Sequence, residues 1–121
     1  MPRDLRSFLK DYEASYPEDI VRIDREVSCN QEITRIVQLL EKQNRYPLLI
    51  FNNVLNPAGK KAAQTLVTNV SSSRVRIARI CGTGHETLGR YIFEATRTRR
   101  REPEVITRSQ APVKEVIKTG K

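Results

Sequence analysis

One continuous apolar run, Pro47-Leu48-Leu49-Ile50-Phe51, constrains the fold of this chain more than any other feature. A strand with one face in solvent alternates apolar and polar residues, whereas an unbroken apolar run is typical of a strand covered on both faces. Hydrophobic residues make up only 38% of the 121 residues, so the core is small and the length allows one domain. The sequence therefore predicts a central strand with covering elements on both sides.

Two amphipathic helices in the N-terminal half can provide that cover. The first is predicted over residues 4–14, with Asp4 as its N-cap, and the second is opened by Ser28 and Gln31, which have capping-box spacing. Residues 19–24 between them have the composition of a short strand. Both helices carry an apolar stripe at helical spacing. These stripes are Leu5, Phe8, Leu9 and Tyr12 in the first, and Ile33, Ile36, Val37 and Leu40 in the second.

The second half of the chain continues the alternation of strands and helices. Residues 65–70 are rich in β-branched side chains, which predicts another buried strand. Three serines, Ser71 to Ser73, favour the start of a helix that ends at Gly82. A second capping box, Thr83 with Glu86, predicts a last amphipathic helix that runs to about Arg99.

The C-terminal region is predicted to be extended. Pro103 ends the last helix, residues 104–107 are a candidate edge strand, and residues 111–117 have little to bury by themselves. We therefore predict an α/β (α+β) fold in which helices pack on a small mixed sheet. The expected organisation is one domain over residues 1–102, followed by an extended linker or arm over residues 103–121.

The sequence offers few groups for catalysis or metal binding. His85 is the only histidine, and a helix cap gives it no partner to orient it as a base. Cys29 and Cys81 are the only cysteines, too few for a disulfide scaffold or, with His85, for a four-ligand zinc site. We therefore predict no catalytic, cofactor-binding or metal-binding residue in this chain, and ordinary thiols in a reducing cytoplasm.

Three segments resemble anion-binding motifs only in part. The Gly82-Thr83-Gly84 segment lacks the third glycine of a dinucleotide fingerprint, and residues 56–61 lack the first glycine of a P-loop. The best candidate for a phosphate is the helix start at Ser71 to Ser73, followed by Arg74 and Arg76, because free N–H groups at a helix N-terminus suit an anion.

The net charge of +8 is unevenly distributed. Residues 1–40 carry six basic and eight acidic side chains, whereas residues 41–81 carry seven basic and one acidic. A run of arginines at 97, 99, 100 and 101, together with Lys60 and Lys61, suggests a nucleic-acid-binding surface. The competing interpretation is that these arginines stabilise a helix C-terminus and pair with Glu94, Glu102 or another subunit. We expect no secretory signal, and no apolar run approaches the roughly 20 residues of a membrane span.

Several segments, taken in order and with their spacing, resemble the N-terminal domain of the UbiD-like decarboxylases, the enzymes that use prenylated flavin mononucleotide. The segments are residues 4–9 (DLRSFL), 21–27 (VRIDREV), 32–33 (EI), 47–54 (PLLIFNNV), Asn69, 73–78 (SRVRIA), Gly82 and 111–120 (APVKEVIKTG). Two departures occur in one loop. Asn52 stands where the family usually has a glutamate, and Leu55-Asn56 stands where a glycine is usual, which predicts a remodelled loop.

The resemblance implies a fold, a reaction class and a partner. Family enzymes are several times longer than 121 residues, and their flavin ligands, metal ligands and Glu-Arg-Glu catalytic group lie beyond the part that this chain resembles. It therefore implies a non-catalytic subunit or N-terminal domain of a (de)carboxylase that acts on aromatic or α,β-unsaturated acids. Prenylated FMN and a divalent metal ion would be held by a larger catalytic chain or domain, in a hetero- or homo-oligomer. The alternative that remains open is a small basic nucleic-acid-binding protein.

Overall fold

The computed structural model describes residues 4–98 and 102–110. The predicted arm from residue 111 onward and the arginines at 99, 100 and 101 lie outside the described residues. In the described part of the chain, two 3-10 helices, Pro17–Asp19 and Arg108–Gln110, accompany four α-helices and five strands. These are α1 (Leu5–Ser15), β1 (Ile20–Ile23), β2 (Val27–Ser28), α2 (Glu32–Lys42), β3 (Leu48–Phe51), β4 (Val54–Leu55), β5 (Leu66–Thr68), α3 (Arg74–Cys81) and α4 (Leu88–Thr98).

A three-stranded mixed sheet with the order β1-β3-β5 forms the centre of the fold. Strand β1 runs parallel to β3, with Ile20 opposite Leu48, and β5 runs antiparallel to β3, with Leu66 opposite Phe51. A parallel pair needs a crossover connection, and α2 supplies it between β1 and β3. The short strands β2 and β4 form a second parallel pair, with Val27 opposite Val54. This arrangement confirms the predicted α+β fold with a small mixed sheet.

The central strand β3 is buried on both faces, as its apolar run predicts. All four of its residues are buried, and they alternate between two apolar clusters. Leu48 and Ile50 pack in one cluster with Phe8 and Tyr12 of α1, where the two aromatic rings stack with centroids 5.4 Å apart. Leu49 and Phe51 pack in the other cluster, together with the predicted stripe of α2: Ile33, Ile36, Val37 and Leu40. The two helices therefore cover opposite faces of one strand.

The N-terminal cap of α1 is confirmed, whereas both predicted capping boxes are wrong. Asp4 accepts a hydrogen bond of 2.8 Å from the Ser7 N–H, and this bond lowers the pKa of the Asp4 carboxyl. Ser28 belongs to strand β2, and α2 begins only at Glu32, after Gln31 in a left-handed conformation (φ 67°). The Glu32 carboxylate accepts a hydrogen bond of 2.8 Å from the backbone N–H of Ser28. Ser28 is therefore bound to α2 through its backbone in strand β2 and not as a helix cap.

The second capping box fails because the last helix begins later than the spacing predicts. Residues 84–87 form a turn in which the Thr87 hydroxyl donates to the carbonyl oxygen of Gly84 at 3.1 Å. Thr87 also accepts the first helical hydrogen bond, from the Tyr91 N–H at 2.9 Å. Glu86 is exposed, 3.6 Å from the imidazole of His85. Gly82 ends α3 in a left-handed conformation (φ 69°), as predicted.

The chain divides into two compact units at the Tyr91–Ile92 peptide bond. In the C-terminal unit the predicted edge strand over residues 104–107 is wrong, since these residues form no strand and are exposed. β-Branched residues make a strand only where another strand supplies their hydrogen-bond partners. The predicted domain boundary between residues 102 and 103 stays a prediction.

Candidate functional site

A buried arginine, Arg76, lies at the centre of the most extensive polar network among the described side chains. Its side chain has 0% solvent exposure, and the guanidinium donates to the Asp19 carboxylate and to the Tyr46 carbonyl oxygen. The Tyr12 hydroxyl donates to the same Asp19 oxygen at 2.7 Å. These contacts connect α1, the first 3-10 helix, the segment before β3, and α3. Both charged groups of this network, the Arg76 guanidinium and the Asp19 carboxylate, are partners of each other within the fold. The network therefore has a structural role, and we call it the Arg76 bracket.

The electrostatics of this network follow from burial. Removal from water, followed by the hydrogen bond to the Asp19 carboxylate, raises the pKa of the Tyr12 hydroxyl to about 12. The Nε atom of Arg76 is buried and has no hydrogen-bond partner, although the terminal nitrogens Nη1 and Nη2 each have one. Arg76 is thus fixed in place by contacts within the chain.

The candidate phosphate site at Ser71 to Ser73 loses one of its two arginines to this network. Arg76 is turned into the core, and the Nε of Arg74 donates to the His85 carbonyl oxygen at 2.9 Å. Ser73 precedes α3 without a side-chain capping bond. An anion at this helix start would therefore not meet the Arg76 guanidinium as a free donor, because that group is buried in its own network.

The remaining candidates for chemistry do not converge. His85 and Glu86 are both exposed, and Cys29 and Cys81 are free thiols. Among residues 4–98 and 102–110, no group of three or more histidine, cysteine or acidic side chains is placed to hold a metal ion.

In the loop that departs from the family pattern, two asparagine side chains bind Asp24. This residue directly follows Ile23, the last residue of β1 that pairs with β3. The Asn52 side-chain amide donates to the Asp24 carboxylate at 2.6 Å, and the Asn53 amide donates to the Asp24 carbonyl oxygen. A glutamate at position 52 would bring a second carboxylate to Asp24 and remove this donor. Asparagine at position 52 is therefore matched to Asp24 in this chain.

The basic residues of the nucleic-acid hypothesis are only partly within the described residues. Lys60 and Lys61 are exposed, in a turn that the Asn56 side chain stabilises through two backbone N–H groups at 3.0 Å. Arg97 lies on α4 with its guanidinium carbon 5.3 Å from the ring centroid of Phe93. In the described part of the chain, no helix is both long and apolar enough to cross a membrane.

Comparison with known proteins identifies a matching family. Residues 15–96 match the family model of the 3-octaprenyl-4-hydroxybenzoate carboxy-lyase N-terminal domain. No curated protein and no solved structure matches the chain. The matched residues run from the end of α1 into α4. They include Arg76 and the two residues that accept hydrogen bonds from its guanidinium, Asp19 and Tyr46. The chain therefore belongs to the family of UbiD-type carboxy-lyase N-terminal domains.

Proposed function

We propose that this chain is the non-catalytic N-terminal domain or subunit of a UbiD-like (de)carboxylase that acts on an aromatic or α,β-unsaturated carboxylic acid. Its role is to assemble with, and cover, the part of the enzyme that holds prenylated FMN and a divalent metal ion. The observation that carries the proposal is the family match over residues 15–96, which identifies the N-terminal domain of a carboxy-lyase.

The use of the polar side chains supports a non-catalytic role. Loss of CO2 from an unsaturated acid leaves electrons that need an acceptor, and a cofactor with its own site supplies one. Several charged groups of this chain are engaged in structural contacts. Arg22 binds Glu13 with nitrogen–oxygen distances of 2.8 Å, and Arg25 and the Ser28 N–H share the Glu32 carboxylate, each at 2.8 Å.

The bracket around Arg76 supports an assembly role. It joins segments 57 and 30 residues apart in sequence, so the sheet and its helices present a fixed shape to a partner. Two free cysteines agree with the reducing cytoplasm that the proposal includes. The proposed partner is a larger UbiD-like catalytic chain or domain.

Reconstitution of activity tests this proposal. The chain is purified gently from its own source, and CO2 release is measured with a panel of aromatic and α,β-unsaturated acids before and after its separation from any flavin-bearing protein. We expect activity only in the fraction that contains both components. CO2 release by the isolated chain, or full activity of the flavin-bearing protein after this chain is removed, would contradict the proposal.

A further inference from the structure

The two edges of the three-stranded sheet differ sharply in charge. With the strand order β1-β3-β5, each outer strand pairs with β3 on one side, and no described strand lies along its other side. Around β1, six of the nine residues 18–26 are charged. Residues 62–73, which include β5, contain no charged side chain. The β5 edge therefore lacks the charges by which natural proteins block the pairing of an edge strand with another chain.

The backbone of β5 offers hydrogen-bonding groups to an additional strand. β5 pairs antiparallel with β3 through Leu66, Val67 and Thr68. Successive residues of an antiparallel strand direct their N–H and C=O groups to alternate sides. At least one of these three residues therefore directs both groups away from β3. The β-branched side chains of Val67 and Thr68 are of the type that packs well in paired strands.

The side chains of β5 are covered only in part within one copy of the chain. Leu66 packs against the apolar cluster of α2, and Val67 packs against the apolar cluster of α1. All three residues of β5 are half-buried, so each keeps surface that a neighbouring strand can cover. An added strand would extend both apolar layers of the fold beyond β5.

The absence of charge indicates which strand fits this edge. When two identical edge strands pair antiparallel about a twofold axis, residues near the axis lie beside their own copies, so a charge there meets its like. The chain carries a net charge of +8, so its copies repel each other, and the uncharged residues 62–73 let them approach. A different protein gains orientation and specificity from complementary charge, and this edge offers none. The edge therefore fits a second copy of the chain.

We propose that two copies of this chain associate through β5, which pairs antiparallel with β5 of the other copy and joins the two three-stranded sheets into one sheet of six strands. Main-chain hydrogen bonds between the two edges supply the contact, as they do where a peptide adds a strand to a sheet. The inference goes beyond the proposed function, because it concerns self-association and holds whichever protein bears the flavin.

Sedimentation velocity of the full chain over a wide range of concentrations tests the association. We expect a reversible equilibrium between the 13.9 kDa chain and a species of twice that mass. Thr68→Lys places a charge next to its own copy and should weaken the dimer by about tenfold. The matched control Thr34→Lys adds the same charge at an exposed position of α2 and should change the dissociation constant less than about twofold.

Amide hydrogen exchange of the unsubstituted chain, followed by NMR, locates the contact without any variant. At least one amide of Leu66–Thr68 should exchange about tenfold more slowly when most of the chain is dimeric than when most of it is monomeric. The amides of the other edge strand, Ile20–Ile23, should exchange at the same rates under both conditions. This measurement decides the proposal even where Thr68→Lys fails to fold.

Four outcomes would overturn the proposal. The first is a chain that stays monomeric at every concentration, and the second is a dimer that protects the amides of β1 in place of those of β5. The third is equal dimer affinity of the two folded lysine variants. The fourth is slow exchange throughout β5 in the monomer, which would mean that another segment of the chain covers this edge. The proposed function stands or falls separately, by CO2 release with a flavin-bearing protein.

Discussion

Replacing Asp19 with alanine should destabilise this domain far more than its place in a three-residue 3-10 helix suggests. The Asp19 carboxylate is the counter-charge of the fully buried Arg76 and also accepts the Tyr12 hydroxyl at 2.7 Å. Without that carboxylate, the guanidinium keeps its hydrogen bond to the Tyr46 carbonyl oxygen but has no anion beside it. The variant therefore retains a buried positive charge that nothing neutralises.

The size of the effect follows from burial of the two partners. Removing one member of a buried ion pair costs about 3–5 kcal/mol of unfolding free energy. The Asp19 side chain is 33% exposed, so water can reach the place that the carboxylate leaves, which favours the lower end of that range. We expect Asp19→Ala to lower the free energy of unfolding by about 3 kcal/mol.

A double variant separates the charge from the packing. The double variant Asp19→Ala with Arg76→Met lacks both the carboxylate and the buried guanidinium. The flexible apolar side chain of methionine fills the space that the arginine side chain leaves. Replacement of a buried pair by apolar residues is often close to neutral, so the double variant should be more stable than Asp19→Ala by about 1–2 kcal/mol. As a control, Glu13→Ala removes the exposed pair with Arg22 and should cost less than about 1 kcal/mol.

Equilibrium unfolding in urea, followed by circular dichroism at neutral pH, measures all three free energies. The slopes of free energy against urea concentration should agree, so that differences in midpoint report stability. A loss for Asp19→Ala no larger than that for Glu13→Ala would refute the bracket role of Arg76. So would a double variant that is less stable than Asp19→Ala.

Three further predictions concern other parts of the domain. In the folded state the pKa of the Tyr12 hydroxyl is raised to about 12. The contribution of the Tyr12 hydrogen bond to stability is therefore complete below pH 10 and is lost as the pH rises through 12. An ultraviolet titration should show a tyrosinate step near pH 12 that Tyr12→Phe lacks. Leu49→Ala opens a cavity beneath α2 and should cost about 2–5 kcal/mol in urea unfolding, whereas the exposed Leu39→Ala should change stability by less than about 0.5 kcal/mol. Gly82→Ala places a Cβ at φ 69° and should lower stability by about 1 kcal/mol; Gly84→Ala, whose Cβ would meet only the Thr87 hydroxyl at 3.5 Å, should have a smaller effect in the same assay.

Local sequence patterns predicted the layers of the fold well. The apolar run at β3 and the stripe of α2 predict burial directly, because side chains alternate at period 2 in a strand and recur at about 3.6 in a helix. The same logic failed at the capping boxes, since the spacing at Ser28 does not reveal that this residue pairs in a strand with Leu55. Spacing alone cannot distinguish a cap from a nearby strand end.

The polar network could not be predicted because its partners are far apart in sequence. Tyr12 belongs to an apolar stripe, Asp19 to a predicted strand, and Arg76 to a predicted anion site; each local assignment has a plausible physical reason. The Arg76–Asp19 contact joins residues 57 positions apart, which only the tertiary fold brings together. Local patterns also could not indicate the family of the chain. The resemblance to the N-terminal domain of UbiD-like decarboxylases did so, and the family match over residues 15–96 confirms it.

Native mass spectrometry of the protein purified gently from its own source, with its flavin absorbance recorded on the same sample, tests the central claim most directly. The proposed function predicts that this domain occurs together with a UbiD-like flavin-bearing part in fixed stoichiometry, as a separate chain or within one polypeptide. A colourless species of 13.9 kDa without a partner would contradict it.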